Sequence, residues 1–219
     1  MNSSKKVLVL FSGGKDSSSA AVLLAKRGYK VKLFTCEDGS ELIGPLGDSA
    51  PDIRHKELIK AFPKNIDKQR IIKNDSYLIR KLAIEKTNIE HVVYPIALAL
   101  SSHSTAICYC LKNNIKTIAS GYSGYQAKED KYIEQQNNFV NLTRKFLKDY
   151  NILYLTPVIE NSETEIKNIL EQHGISSNSL ENKSIFGGIP FDKEKALEFW
   201  QSSIPICKKF IKNMQTQLK

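Results

Sequence analysis

Arginine is scarce in this chain. Its 219 residues carry 32 basic side chains, and only five of them are arginine against 27 lysines. Arginine offers the planar fork that reads base edges, whereas excess lysine commonly solvates a surface. The net charge of +9 and a pI near 9.3 therefore leave nucleic-acid binding open without arguing for base reading. Cysteine is sparse as well: Cys36, Cys108, Cys110 and Cys207 are scattered, with no C-x-x-C pair. On a helix, Cys108 and Cys110 would point about 200° apart, so they do not make half of a zinc site. Buried free thiols in a reducing compartment follow, and no zinc is expected. With 11 Gly and 7 Pro, collagen-like and low-complexity chains are excluded. No apolar run approaches the roughly 20 residues that span a bilayer. The apolar stretch 7–11 is too short for a secretory core and runs into Ser-Gly-Gly instead of a cleavage site. A soluble cytoplasmic protein without membrane contact is expected.

What is present alternates in type. Residues 7–11 read as a strand buried on both faces. Residues 17–27 carry Ala21, Leu24 and Ala25 at helical spacing and stop at Gly28, and residues 31–35 return as a strand. This β-loop-α-β unit implies a parallel pair with a right-handed crossover. Residues 37–52, with three glycines and two prolines, read as a long functional loop. Helices are then expected over 53–62, 76–86 and 97–111, and strands over 69–72, 117–120 and 152–155. Residues 130–150 read as one long polar helix, and 163–173 as a helix capped by Ser162. Residues 176–192 read as loop, with one or two closing helices from 193. The expectation is a doubly wound, mainly parallel five-stranded sheet with helices on both faces. Residues 1–175 would form the α/β domain and 176–219 a helical extension packed on it.

The chemistry is concentrated in Ser12-Gly13-Gly14-Lys15-Asp16-Ser17, between the first strand and the first helix. Glycines let the backbone turn tightly and approach an anion. The amides at the following helix start, with its dipole, suit phosphate groups. Ser12 and Ser17 add hydroxyls, Lys15 a counter-charge, and Asp16 a magnesium ligand. The spacing is not that of the Walker loop. The hexamer resembles the PP-loop of the N-type ATP pyrophosphatases, whose pattern is S-G-G-x-D-S in the same context. That resemblance implies a HUP-type (adenine nucleotide α-hydrolase-like) fold that binds ATP and Mg²⁺. It further implies cleavage to AMP and pyrophosphate, which activates a carboxylate or carbonyl oxygen for attack by ammonia or another nucleophile. Lys15 and Asp16 are then the catalytic candidates, with Ser12, Gly13, Gly14 and Ser17 completing the cradle.

Further segments resemble the 7-cyano-7-deazaguanine synthase (QueC-like) branch of that superfamily, which serves queuosine precursor synthesis. They are residues 118–125, ending Ser120-Gly121-Tyr122-Ser123-Gly124-Tyr125, then Glu37-Asp38-Gly39, and Leu155-Thr156-Pro157-Val158-Ile159. The branch's C-terminal cysteine cluster has no counterpart here, and its Tyr-Pro-Asp-Cys-Arg run is replaced by Tyr125-Gln126-Ala127-Lys128-Glu129-Asp130. A divergent C–N ligase with its own acceptor, a deazapurine or another carboxylate, is implied. Asp38 and Gly121 join the nucleotide candidates. Tyr122 and Tyr125 could stack on a planar heterocycle, and His103 interrupts an apolar helix beside them, although a satisfied buried histidine reads as well. Lys208, Lys209 and Lys212 read as a solvated face or an RNA contact. Two alternatives stay open: a tRNA-modifying enzyme of thiolation or lysidine type, and a non-catalytic nucleotide-binding subunit. The partners expected are a small carboxylate or heterocycle, with tRNA and a homodimer left open. The positive charge itself reads first as part of the ATP site.

Overall fold

The computed structural model describes residues 5–37, 49–86, 94–128, 130–178 and 192–216. Five strands, β1 (Lys6–Leu10), β2 (Lys30–Glu37), β3 (Ile71–Asn74), β4 (Thr117–Ala119) and β5 (Leu153–Leu155), form one sheet in the order β3-β2-β1-β4-β5. Every pairing is parallel. Among the described residues, seven α-helices are interleaved: α1 (Lys15–Lys26), α2 (Ala50–Ala61), α3 (Ser76–Lys86), α4 (Tyr94–Asn113), α5 (Asn137–Lys148), α6 (Glu163–Glu171) and α7 (Lys193–Thr216). The doubly wound fold read from the alternation of apolar runs is the one observed.

The side-chain period of the strands divides the core in two. On β1, Val7 and Val9 point to one side with Val31 and Leu33 of β2, where α1, α2 and α6 pack. Leu8 and Phe34 point to the other side, covered by α3, α4, α5 and α7. The central strand is thus apolar without alternation, as a strand covered on both faces must be. Burying each such Leu or Phe contributes about 1.5–3 kcal/mol.

Two expectations change. Helix α2 begins at Ala50, where Pro51 in the first turn suits a position whose N–H has no helical partner anyway. Within the described residues, that shortens the expected loop before it. The long helix expected over 130–150 is broken. A 3₁₀ segment, Asp130–Gln135, contains a non-helical Tyr132 (φ −114°, ψ 42°), and Gln136 is extended before α5 starts. The reason is Gln135. Its buried amide accepts from the Ser123 N–H at 2.9 Å and donates to Gln126 Oε1 at 3.0 Å, a geometry the helix path would not allow. At the end of the chain, one helix, α7, runs through Pro205, and Trp200 packs edge-on against Phe139 at 5.9 Å.

Candidate functional site

After β3 the chain returns to lay β4 on the far side of β1. Loops leaving neighbouring strands diverge at such a switch point and open a crevice beyond the carboxyl ends. The loop after β1 is the glycine hexamer, and the loop after β4 is the 120–125 segment. The two loops meet. A Cβ on Gly121 would lie 2.6 Å from the Asp16 carbonyl carbon, so only glycine lets β4 deliver its loop against the start of α1.

The hexamer is shaped by its backbone. The Phe11 N–H extends the ladder to the Phe34 carbonyl at 2.8 Å, and Gly13 then turns with φ +80°. A Cβ there would meet the Ala50 carbonyl carbon at 2.6 Å; both the left-handed turn and the start of α2 demand glycine. Gly14 caps α1 in extended conformation, and no side chain caps the helix. The first-turn amides of Lys15, Asp16 and Ser17 have no acceptor within the helix. The first bond back is from the Ser18 N–H to the Gly14 carbonyl, at 3.1 Å. Ser17 Oγ and Ser18 Oγ both donate to that same carbonyl, at 3.2 and 2.7 Å. Ser12 Oγ lies 3.2 Å from Ser17 Oγ and accepts from the Gly14 N–H at 3.3 Å.

Charged groups close one side. The Tyr125 hydroxyl donates to Asp16 Oδ2 at 3.0 Å. Burial and the neighbouring Asp16 charge push this phenol far above its ordinary value, so it stays protonated. Lys15 Nζ reaches Glu163 Oε1 at 2.5 Å and lies 5.7 Å from the centre of the Tyr125 ring. Hydrogen bonds from Lys15 and then Lys167 hold the Glu163 carboxyl below the usual range. Lys15, Asp16, Ser12, Ser17, Gly121 and Tyr125 are thus gathered at one place. Asp38 lies outside the described residues.

Tyr122 and His103 belong to a second group, behind the β4 loop. The His103, Tyr122 and Tyr154 rings meet edge-on at 5.2 to 6.5 Å. Ser120 Oγ and the Tyr154 hydroxyl are 2.6 Å apart. His103 is buried, and its Nδ1 donates to the Ala99 carbonyl at 2.6 Å. Burial pulls it down to about 4, so the ring is neutral and its Nε2 is left as an acceptor. Glu134 faces the two tyrosines. Its buried Oε2 has no hydrogen-bond partner among the described residues, and burial raises its carboxyl to about 7.

Two residues escaped the sequence reading. Glu163 is one, 148 positions from the lysine it holds. The other is Arg54, whose side chain is fully buried behind the hexamer. It pairs with Glu57 at 2.8 Å, donates to the Ser176 carbonyl and, at 2.9 Å, to that of Asn178, and its Nε faces the Gly13 carbonyl at 3.5 Å. Its rarity beside 27 lysines was the one available signal.

The donor set fits a polyphosphate: the amides at the start of α1, two hydroxyls and an ammonium group. One buried carboxylate, Asp16, suits Mg²⁺, which commonly takes only one or two protein carboxylates and completes its shell with phosphate and water. No group of three or more His, Cys, Asp or Glu gathers among the described residues. The family model of the queuosine biosynthesis protein QueC matches residues 6–183. The chain belongs to the QueC family. Among solved structures, this QueC-family chain resembles one described as a 4-thiouridine synthetase–RNA complex with bound ATP. The TM-score is 0.62 at 13% identity, over 97% of this chain and 53% of that one, so the chain spans about half the length of that synthetase and shares its fold. A predicted subunit of tRNA methyltransferase from Methanocaldococcus jannaschii DSM aligns with TM-score 0.46 and 24% identity, over 79% of this chain and 90% of that one. Among curated proteins no match is found. No helix of the described residues is long and apolar enough to cross a membrane.

Proposed function

We propose that this QueC-family chain is an ATP-dependent adenylating enzyme. It would bind ATP with Mg²⁺ in the β1 loop, cleave between the α- and β-phosphates, and pass AMP to a carboxylate or carbonyl oxygen, with ammonia or another nucleophile completing a C–N ligation. The observation that carries this reading is the uncapped start of α1 at the switch point, flanked by Ser12, Ser17 and Lys15. Charge grows on departing pyrophosphate, and fixed amides aimed at it stabilise the transition state more than the ground state.

Each residue has a part in that reading. Gly13 and Gly14 keep side chains out of the phosphate cradle, and the Lys15, Asp16 and Ser17 amides hold the departing charge. Gly121 fixes the distance between the two loops. Tyr125 orients Asp16 through its hydroxyl, and the Asp16 carboxylate is the group that would hold a metal. Bound Mg²⁺ would supply neutralisation of phosphate charge. Tyr125 is assigned to the acceptor side and Asp38 to the nucleotide side, while Tyr122 and His103, packed behind the β4 loop, would support that loop from below. A planar heterocyclic acid such as a carboxylated deazapurine is the acceptor class that fits.

The experiment is pyrophosphate release from ATP–Mg in a screen of carboxylated deazapurines and small acids. Asp16→Asn should abolish release while Tm stays within a few degrees of wild type. Wild-type rates in the variant, or no release by wild type with any acid, would sink the reading.

A further inference from the structure

A second cluster of positive charge, separate from Lys15 and Arg54 at the hexamer, lies at the opposite end of the sheet, where the strands begin. Lys6 and Lys30 are direct neighbours in the β1–β2 register, and the Lys30 N–H bonds to the Lys5 carbonyl at 2.9 Å. Lys30 Nζ reaches across to the Lys64 carbonyl. Lys5, Lys6, Lys30 and Lys64 are all exposed. Lys6, Lys30, Lys32, Lys64, Tyr109 and Asn113 border a groove of about 390 Å³. Among the described residues Asp67 is the one acid that lines it, and Lys32 takes that acid at 2.7 Å. Three ammonium groups therefore share the groove without an acid of their own among its lining residues. Like charges on directly opposed strand positions destabilise a sheet, so this arrangement costs the fold stability that a neutral pair would not.

We propose that this groove docks the phosphodiester backbone of a single-stranded nucleic acid, by charge and without reading sequence. Ammonium groups bind phosphate as point charges, and the scarcity of arginine removes the fork that base reading uses. Beside the lysines, Asn113 donates to the Tyr109 carbonyl at 2.8 Å and the Tyr109 hydroxyl bonds to Lys32, so the phosphate contacts fall to the ammonium groups. An acidic protein fits less well. Protein interfaces centre on an exposed apolar or aromatic anchor, and the large exposed apolar residues among those described, Ile53, Ile72, Tyr77 and Leu153, do not line the groove. The surface extends beyond it: α1 ends in Lys26 and Arg27 near Lys30, and Lys112 and Lys116 flank the Asn113–Ile115 edge, all four exposed. The nucleotide cleft lies at the other end of the strands, so the groove is independent of the adenylation reading.

The test is fluorescence anisotropy with labelled strands of about 12 nucleotides, a length within the usual site sizes of single-strand binders. Two unrelated RNA sequences and one DNA sequence should bind within about threefold of one another. With about three phosphates engaged, one for each of the three ammonium groups that share the groove, affinity should fall about 20-fold between roughly 50 and 200 mM salt. Lys6→Glu/Lys30→Glu should weaken binding at least about tenfold and flatten the log–log salt slope by about 1.4. The charge-matched pair Lys73→Glu/Arg80→Glu, on exposed residues of β3 and α3, should lose less than about threefold, as befits charges away from the groove. Lys6→Gln/Lys30→Gln guards against a folding defect: it should melt at or above wild type, bind more weakly, and release pyrophosphate at the wild-type rate. Equal losses in the groove and control pairs overturn the proposal, as does selectivity among the three strands. Displacement of the strand by poly-glutamate at equal charge concentration would make an acidic protein the partner and overturn it as well.

Discussion

Lys15 has two claimants. In the structure its ammonium group sits 2.5 Å from Glu163, while its backbone opens α1, where the proposed phosphate site lies. An incoming polyphosphate must compete with that carboxylate, which Lys167 also holds at 3.1 Å. Glu163→Gln should therefore tighten pyrophosphate–Mg binding by about threefold, in line with the modest strength of an exposed ion pair. Titration calorimetry reads this directly, and weaker binding in the variant would mean that Glu163 positions Lys15 instead of competing for it. The strand-to-helix turn at the hexamer was legible in the sequence because six consecutive residues carry it and their chemistry is local. Glu163 and Arg54 were not legible. Each reaches the loop across the fold, from α6 and from α2, and nothing near either residue marks its partner.

At the scale of elements, the site is a junction between the β4 loop and α1, and glycine sets its tolerance. Gly121→Ala would drive a methyl group into the Asp16–Ser17 backbone. Relief requires α1 and β4 to separate, so a loss of about 1–3 kcal/mol is expected from overpacking. Urea unfolding should show that loss, and pyrophosphate release should fall further than stability does, because the first-turn amides shift with the helix. A variant with unchanged stability would show that the loop yields elsewhere. The same junction explains which elements could be read in advance. Strands and helices that alternate apolar runs with glycine or proline stops appeared within a few residues of where they were expected: α3 matched residue for residue, β3 lies two residues later at Ile71–Asn74, and α4 starts three residues earlier, at Tyr94. Ser162 caps α6 through a reciprocal box with Glu165, as its sequence context suggested. The break before α5 stayed hidden because Gln135 looks like any helix-surface glutamine. Its partner, the Ser123 amide, belongs to the β4 loop, so only the packed fold shows why the helix must stop.

For the molecule as a whole, composition announced the charge of +9 but not its polarity, which depends on the strand direction that only topology supplies. Composition is equally silent on two buried groups whose titration acts on global stability in opposite directions. His103 is neutral in the fold, at about 4 against an ordinary 6.5. The unfolded chain binds the extra proton between those values, so this residue makes stability rise as pH climbs from about 4 to about 6.5. Glu134 is raised to about 7 from 4.5. Here the folded chain binds the extra proton, and stability falls as pH climbs from about 4.5 to about 7. The two trends oppose each other across their shared window, and above it only the cost of ionised Glu134 remains. Glu134→Gln keeps the shape and the neutral acceptor oxygen while removing the titration. Its Tm should exceed that of wild type by several degrees near pH 8, and the gap should close near pH 5, where the wild-type carboxyl is protonated in the fold. Calorimetric scans at the two pH values decide the matter. A gap of equal size at both would place the effect in packing around Tyr122 and Tyr154, because a change of packing has no reason to vanish when a proton is added.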